Sequence, residues 1–291
     1  MILVVRKNST LDRHGDYIRD KVQRGFMSSD HLDRLNRAHE EHYKTFEDLL
    51  ESLTKANLAF REVHRDEEWP SLSSISYVIT VGGDGTVLEA SHHISSGDVA
   101  LIGIKSSPSS IGYLCYKSGS QISDLMEELK SNSLSLIHVS RLNATIHSVQ
   151  DGKTVVSKPV LNDFLFTAAN PAETSRYRIT LGPDFEVQKS SGIWVATAAG
   201  STAAISAAGG AVFPIDETGF QYMVREPFAA PGKRFKLVGG SFYPEQQKFE
   251  LENLVDQGIL ALDGHHGIIP LGYGDRVVFG DAPRLKLARS I

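Results

Sequence analysis

Apolar positions along this chain follow two different rhythms. In the first half they come as short continuous runs separated by long polar stretches. Ile2–Val5 opens the chain as a buried strand would. The charged stretch Asp12–Arg24 follows. Asp30–Asn57 then carries Leu32, Leu35, Phe46, Leu49, Leu50 and Leu53 at roughly helical spacing, which predicts an amphipathic helix. Ala59–His64 predicts a second strand, and Trp69-Pro70 with its trailing serines a loop. Ile75–Val81 predicts a third strand, running straight into a cluster of glycines. Val87–Ser95 predicts a helix, Val99–Ile104 a strand and Ser120–Ser131 a helix. Strand, turn, helix, strand in this order is the mark of a parallel sheet with crossover helices.

The rhythm changes near Leu136. Short alternating runs follow at Leu142–Val149, Thr154–Val156, Val160–Thr167, Tyr177–Leu181, Ile193–Thr197, Phe235–Val238, Gln247–Leu251 and Leu260–Asp263. Asp151-Gly152, Gly182-Pro183, Pro231-Gly232 and Asp263-Gly264 punctuate them, as turns do in an all-β region. An Ala/Gly/Ser-rich patch, Ala198–Gly210, interrupts the series and suits a loop leading into a short, closely packed helix. The expected layout is an α/β domain over 1–138 and a β-rich domain over 139–274, with 275–291 returning to the first.

Composition narrows the classes that remain. The chain has 291 residues, 41% apolar and 22% charged, which is ordinary for a globular protein. Its one cysteine, Cys115, rules out an internal disulfide framework and a cysteine-based zinc site. No window approaches the roughly 20 apolar residues that cross a bilayer, so no membrane partner is expected. The formal net charge is −5 and no basic stripe appears, which argues against nucleic acid. Anionic ligands would therefore have to be held by local devices: backbone amides, a few basic side chains, a metal.

Four constellations could carry chemistry. Gly82-Gly83-Asp84-Gly85-Thr86 joins a strand to a helix. Its glycines permit close backbone approach, and the helix start offers free N–H groups to an anion. A carboxylate there can take a proton from an attacking hydroxyl or reach a metal through water. The plain alternative is a tight turn in which Asp84 caps the helix. The second, Gly200-Ser201-Thr202-Ala203-Ala204, lets a ligand lie against backbone, or simply packs helix on sheet. The third, Asn162-Asp163, offers an amide and a carboxylate to a base or sugar, or forms an Asx turn. The fourth, Asp263-Gly264-His265-His266, invites a metal reading but fits a hairpin turn better. His39-Glu40-Glu41-His42 and His92-His93 read as helix surfaces.

Taken in this order, the four pieces resemble the NAD kinase family. Gly82–Thr86 matches its GGDGT loop, which diacylglycerol and sphingosine kinases share. Asn162-Asp163 stands where the family carries an Asn-Glu pair. Gly200–Ala203 with Gly209-Gly210 resembles its second, glycine-rich motif, and Asp263-Gly264 its late Asp turn. Ser190–Gly210, Gln221–Pro227 and Gly112–Cys115 are similar to the plant NADH kinase branch. Some positions depart from the family pattern. Ser191 stands where an Asp usually precedes the glycine of the second motif. Ala198-Ala199 replace Pro-Thr, Ala204 replaces Tyr, Asp163 replaces Glu and Lys105 replaces Asn.

The resemblance implies a Rossmann-like parallel sheet domain plus a β-sandwich-like domain, with the active site in the cleft between them. It implies transfer of the ATP γ-phosphoryl group, with Mg²⁺, to the adenosine 2′-hydroxyl of NAD or NADH, NADH being preferred. Gly82, Gly83, Gly85 and Thr86 would hold phosphates, and Asp84 would accept the proton or reach Mg²⁺. Asn162, Asp163, Ser191, Ser201, Thr202, Ala203, Ser206, Asp263 and Tyr113 would bind the dinucleotide, Asp263 close to the reacting ribose. A homodimer or homotetramer in the cytoplasm is expected. A lipid kinase sharing the GGDGT loop and a catalytically silent NAD(H)-binding sensor are the competing readings.

Overall fold

The computed structural model describes residues 1–95, 97–108 and 112–289. By its internal contacts the chain divides into two units. One comprises Met1–Ile137 and the segment from Lys286 onward, the other His138–Leu285.

The first unit is built from β1 (Ile2–Arg6), α1 (Thr10–Gln23), α2 (Ser29–Lys55), β2 (Phe60–His64), β3 (Tyr77–Gly82), α3 (Asp84–Ser91), β4 (Ala100–Lys105), β5 (Lys117–Ser118) and α4 (Ile122–Ser131). Its strands β2, β1, β3 and β4 pair in that order and all in parallel. β3 and β4 are buried almost throughout, as strands with both faces covered should be. Phe46, Leu49 and Leu53 of α2 and Leu125, Met126 and Leu129 of α4 pack in one core with Ile79, Val81, Ile102 and Ile104 of the sheet. α1 starts on a capping box, in which Ser9 and Asp12 satisfy each other's backbone amides. α3 begins three residues before the expected Val87, because the glycines already form its first turn.

The second unit contains most of β6 (Leu136–His147), β7 (Thr154–Val156), β8 (Asp163–Ala168), β9 (Ser175–Leu181), β10 (Asp184–Ser190), β11 (Ile193–Ala196), α5 (Ala204–Ala207), β12 (Phe220–Val224), β13 (Gly239–Phe242), β14 (Phe249–Asn253), β15 (Gly258–Leu262), β16 (Gly267–Leu271) and most of β17 (Arg276–Ala288). One antiparallel sheet runs β13-β12-β11-β8-β15-β16, and β10, β9, β14 and β17 form another antiparallel row. Phe164, Phe166 and Tyr222 of the first sheet share a core with Tyr177, Phe249 and Phe279 of the second row. That shared core makes the unit a sandwich.

The structure departs from the sequence pattern in three places. Phe235–Val238 is not a strand; the ladder with β12 is made by Gly239–Phe242 instead, where the small glycines fit beside Tyr222 and Met223. β10, β12 and β16 are strands that the sequence pattern does not predict: β10 buries Gln188 and Ser190 while exposing Phe185 and Val187, β12 is buried almost throughout with Gln221 inside, and β16 begins on Gly267 and carries Pro270. The return of 275–291 is confined to the residues from Lys286 on. Arg276–Phe279 complete the ladder with β14, whereas Lys286 and Leu287 pair in parallel with Ala100 and Leu101 of β4. Among the described residues no helix is long and apolar enough to cross a membrane.

Candidate active site

In the first unit the site is the junction of β3 and α3. The C-terminal ends of parallel strands are where open α/β sheets bind ligands, and β3 ends there on Gly82. That position accepts no side chain: a Cβ would lie 2.3 Å from Thr86 Oγ1 and 3.2 Å from Lys7 Cε. Thr86 is buried, and its hydroxyl packs under the glycine turn. Gly83, the N-cap of α3, supplies no side-chain acceptor. Thr86 N–H donates to Gly83 carbonyl at 2.9 Å, whereas the amides of Asp84 and Gly85 at the helix start have no capping side chain and remain available to an anion. Gly85 is exposed with open space around it.

Asp84 is the first residue of α3 and is half-buried. Its carboxylate is gripped from across the chain: Leu114 N–H donates to Oδ1 at 2.8 Å and Tyr113 N–H to Oδ2 at 3.0 Å. Each oxygen keeps acceptor capacity beyond that one bond. The plain alternative, a side-chain cap on its own helix, is not what Asp84 does. Tyr113 carbonyl in turn accepts from Arg289 Nη1, so the last described residue of the chain braces the loop that holds Asp84. Cys115 lies within electrostatic reach of Asp84, Lys105, Arg289 and Lys7; burial first, then Asp84, pushes its thiol up to about 12, so it is an inert neighbour.

In the second unit Asp263 organises the Leu161–Asp163 turn. Oδ1 accepts from the amides of Asn162 (2.8 Å) and Asp163 (3.0 Å), and Oδ2 from Leu161 (2.9 Å). Asp263 and Gly264 both adopt positive φ, the geometry of a tight hairpin between β15 and β16. Asp263 is buried, and its carboxylate is committed to these three amides. The same turn is pinned from its other side. Thr197 donates through its hydroxyl to Leu161 carbonyl, and through its amide to Asn162 carbonyl at 2.9 Å. Gly200 sits so close that a Cβ would lie 2.1 Å from Asn162 carbonyl oxygen.

This packing leaves two groups poised. Asn162 Oδ1 is buried with no hydrogen-bond partner. Asp163 is 5% exposed, and burial, then the Asp263 carboxylate, push its pKa up to about 7. Ser201 is fully buried and its hydroxyl accepts from Phe213 N–H at 2.9 Å, a structural bond. Thr202 is exposed, while Ala203 and Ser206 are half-exposed on the same short stretch. Ser191 is half-exposed and only its backbone is bonded, to Arg225 and Thr167. Tyr113 is 57% exposed and belongs to the Asp84 loop in the first unit. Sequence reasoning missed Thr197, Lys7 and Arg289. Thr197 and Arg289 act through hydrogen bonds to residues far away in sequence, Thr197 to Leu161 and Asn162, Arg289 to Tyr113.

The fold and these two clusters define a class, that of two-unit kinases with a GGDGT loop. The structure superposes on yeast NADH kinase, solved with NADH, with a TM-score of 0.70 over 100% of this chain and 84% of that one, at 15% identity. It superposes on an NAD kinase from Archaeoglobus fulgidus, solved with ATP, with a TM-score of 0.68 over 99% and 94%, at 16% identity. No protein-family profile matches the chain. In sequence it is 30% identical to the NADH kinase of Arabidopsis thaliana over 260 residues, 81% of this chain and 80% of that protein. It is 29% identical to a probable NADH kinase of Oryza sativa subsp. japonica over 280 residues, 88% and 83% respectively. The chain belongs to the NAD(H) kinase family.

Proposed function

We propose that this protein phosphorylates NAD or NADH with ATP, giving NADP or NADPH. The observation that carries the reading is Asp84. It is a carboxylate at the open start of α3, aimed by two backbone amides, with acceptor capacity left over. The amides of Asp84 and Gly85 at the start of α3 receive phosphate oxygens of ATP. Asp84 accepts the proton of the adenosine 2′-hydroxyl as that oxygen attacks the γ-phosphorus and the bond to the β-phosphate oxygen breaks, releasing ADP. Such a transfer needs positioning and charge stabilisation more than covalent help from the protein. Asn162 and Asp163, with an unpartnered buried carbonyl oxygen and a carboxyl that titrates near neutrality, present hydrogen-bonding edges to the dinucleotide.

Mg²⁺ fits this donor set. Asp84 is the one carboxylate of the glycine loop, a hard oxygen ligand that can meet a cation through water while the triphosphate supplies the other oxygens. The ion, when bound, screens the phosphate charge.

A preference for NADH is the finer part of the proposal. The nicotinamide ring of NAD is cationic and that of NADH is neutral. Ser191 puts a hydroxyl where the family pattern has a carboxylate, which removes an attraction for the charged ring. The test is an assay of purified protein with Mg²⁺-ATP and either NAD or NADH, scoring NADP and NADPH separately. Turnover of NADH above NAD, abolished by Asp84→Asn, is the expected result. Tight NADH binding with no product would make the protein a silent sensor and end the kinase reading. A homodimer or homotetramer in the cytoplasm belongs to the same reading; light scattering and cell fractionation check it.

A further inference from the structure

The register of the parallel sheet places two lysines on either side of the phosphate loop. Gly82 pairs with Lys105 across β3 and β4, and Val5 pairs with Thr80 across β1 and β3. Lys7, just past the end of β1, brings its side chain against Gly82. At the C-terminal end of the sheet Gly82, which lacks a side chain, thus lies between two long cationic side chains, Lys105 paired with it across β3 and β4 and Lys7 reaching it from the end of β1. Lys7 leans into the gap, its Cε 3.2 Å from where a Gly82 Cβ would be. Lys105 lies along Gly112, next to the loop that grips Asp84, its Cδ 3.0 Å from where a Gly112 Cβ would be.

Neither ammonium group has a hydrogen bond or ion pair among the described residues. That contrasts with the nearby Arg13 and Arg65, which both pair with Asp66. Lys7 is also half-buried, and burial, then the charges of Arg65 and Arg13, hold its pKa below the usual lysine value. It lines a cavity of about 100 Å³ together with Ser106 and Ser107, which directly follow Lys105. A half-buried, unpaired ammonium among other cations is costly unless an anion completes it. The overall charge of −5 supplies no attraction for a triphosphate, so the attraction has to come from groups such as these.

We propose that Lys7 and Lys105 form a two-sided clamp on the phosphates of ATP, one ammonium on each flank of Gly82. The proposal rests on the kinase reading and adds the residues that hold the donor. Lys105, one of the departures from the family pattern, then becomes a gain of a phosphate contact.

The test uses the full chain with Lys7→Met, Lys105→Met and Lys105→Arg. Lys55→Met serves as the control, since Lys55 sits far along α2 in an exposed pair with Glu51. ATP and NADH affinities are measured by calorimetry without turnover, and KM for each substrate by assay. Each Met variant should weaken ATP binding roughly 10-fold or more, the range expected for losing a charged hydrogen-bonded contact. NADH affinity and the melting temperature should hold, Lys105→Arg should recover most of the loss, and Lys55→Met should match the wild type. Unchanged ATP affinity in both Met variants overturns the clamp, as does a loss confined to NADH. Should the wild type give neither NADP nor NADPH, the kinase reading fails on its own, while ATP binding still decides the clamp.

Discussion

Asp84 and Asp263 are two aspartates doing outwardly similar work in the two units. Each accepts backbone N–H groups from a segment far away in sequence. Asp263 takes three, is buried and closes a hairpin turn onto the strand that carries Asn162 and Asp163. Asp84 takes two, is half-buried and shares the surroundings of Cys115 with Lys7, Lys105 and Arg289. The difference teaches that a carboxylate turns structural as burial and backbone amides take up more of its lone pairs. It stays chemical when the fold fixes its direction and leaves capacity over.

That contrast can be broken by substitution. Asp263→Ala has the largest expected effect. It leaves three backbone amides without their acceptor, at about 1–3 kcal/mol for each buried unsatisfied group. Urea denaturation should show a loss of several kcal/mol, and a loss below about 1 kcal/mol would make Asp263 a ligand contact instead. Asp84→Asn should do the reverse, lowering kcat on the order of 10² or more while the melting temperature shifts by only a few degrees. Asp163→Asn sharpens the comparison within the second unit. The Asp163 pKa is raised to about 7, so its ionised form is disfavoured in the fold. Stability carried by the protonated carboxyl is whole below the unfolded value and is lost as pH rises toward 7. Asp163→Asn should therefore raise stability at pH 8 on the order of 2 kcal/mol relative to the parent, and the gain should vanish near pH 4. A pH-independent difference would refute this. Arg289→Ala is the smallest. By freeing Tyr113 carbonyl it should loosen the Asp84 grip and lower kcat roughly 3- to 10-fold, about 1 kcal/mol, with KM for NADH and the unfolding midpoint little changed.

Most of the first unit was legible in the sequence because its strands are continuous apolar runs buried on both faces, such as Val78–Val81 and Leu101–Ile104. The second unit was legible as β but not strand by strand. β10 alternates Phe185 and Val187, both exposed, with buried Gln188 and Ser190, so the pattern points the wrong way. Tyr177 hydroxyl bonds to Ser190 at 2.7 Å and Gln188 amide to Leu237 carbonyl at 3.1 Å, and these bonds make burial of the polar side chains tolerable. Such compensation cannot be read from residue types.

The sequence alone determined the strand–glycine–helix junction at Gly82–Thr86, because a backbone that must approach closely admits only glycine, and that requirement is local. It also determined the membership of Asn162-Asp163 and Gly200–Ala203 in one set of motifs. Tertiary structure alone decided what each acid does. Whether a carboxylate meets three amides or two, and which cations lie beside it, depends on segments more than twenty residues distant, whose register is set by sheet pairing and not by any neighbour along the chain.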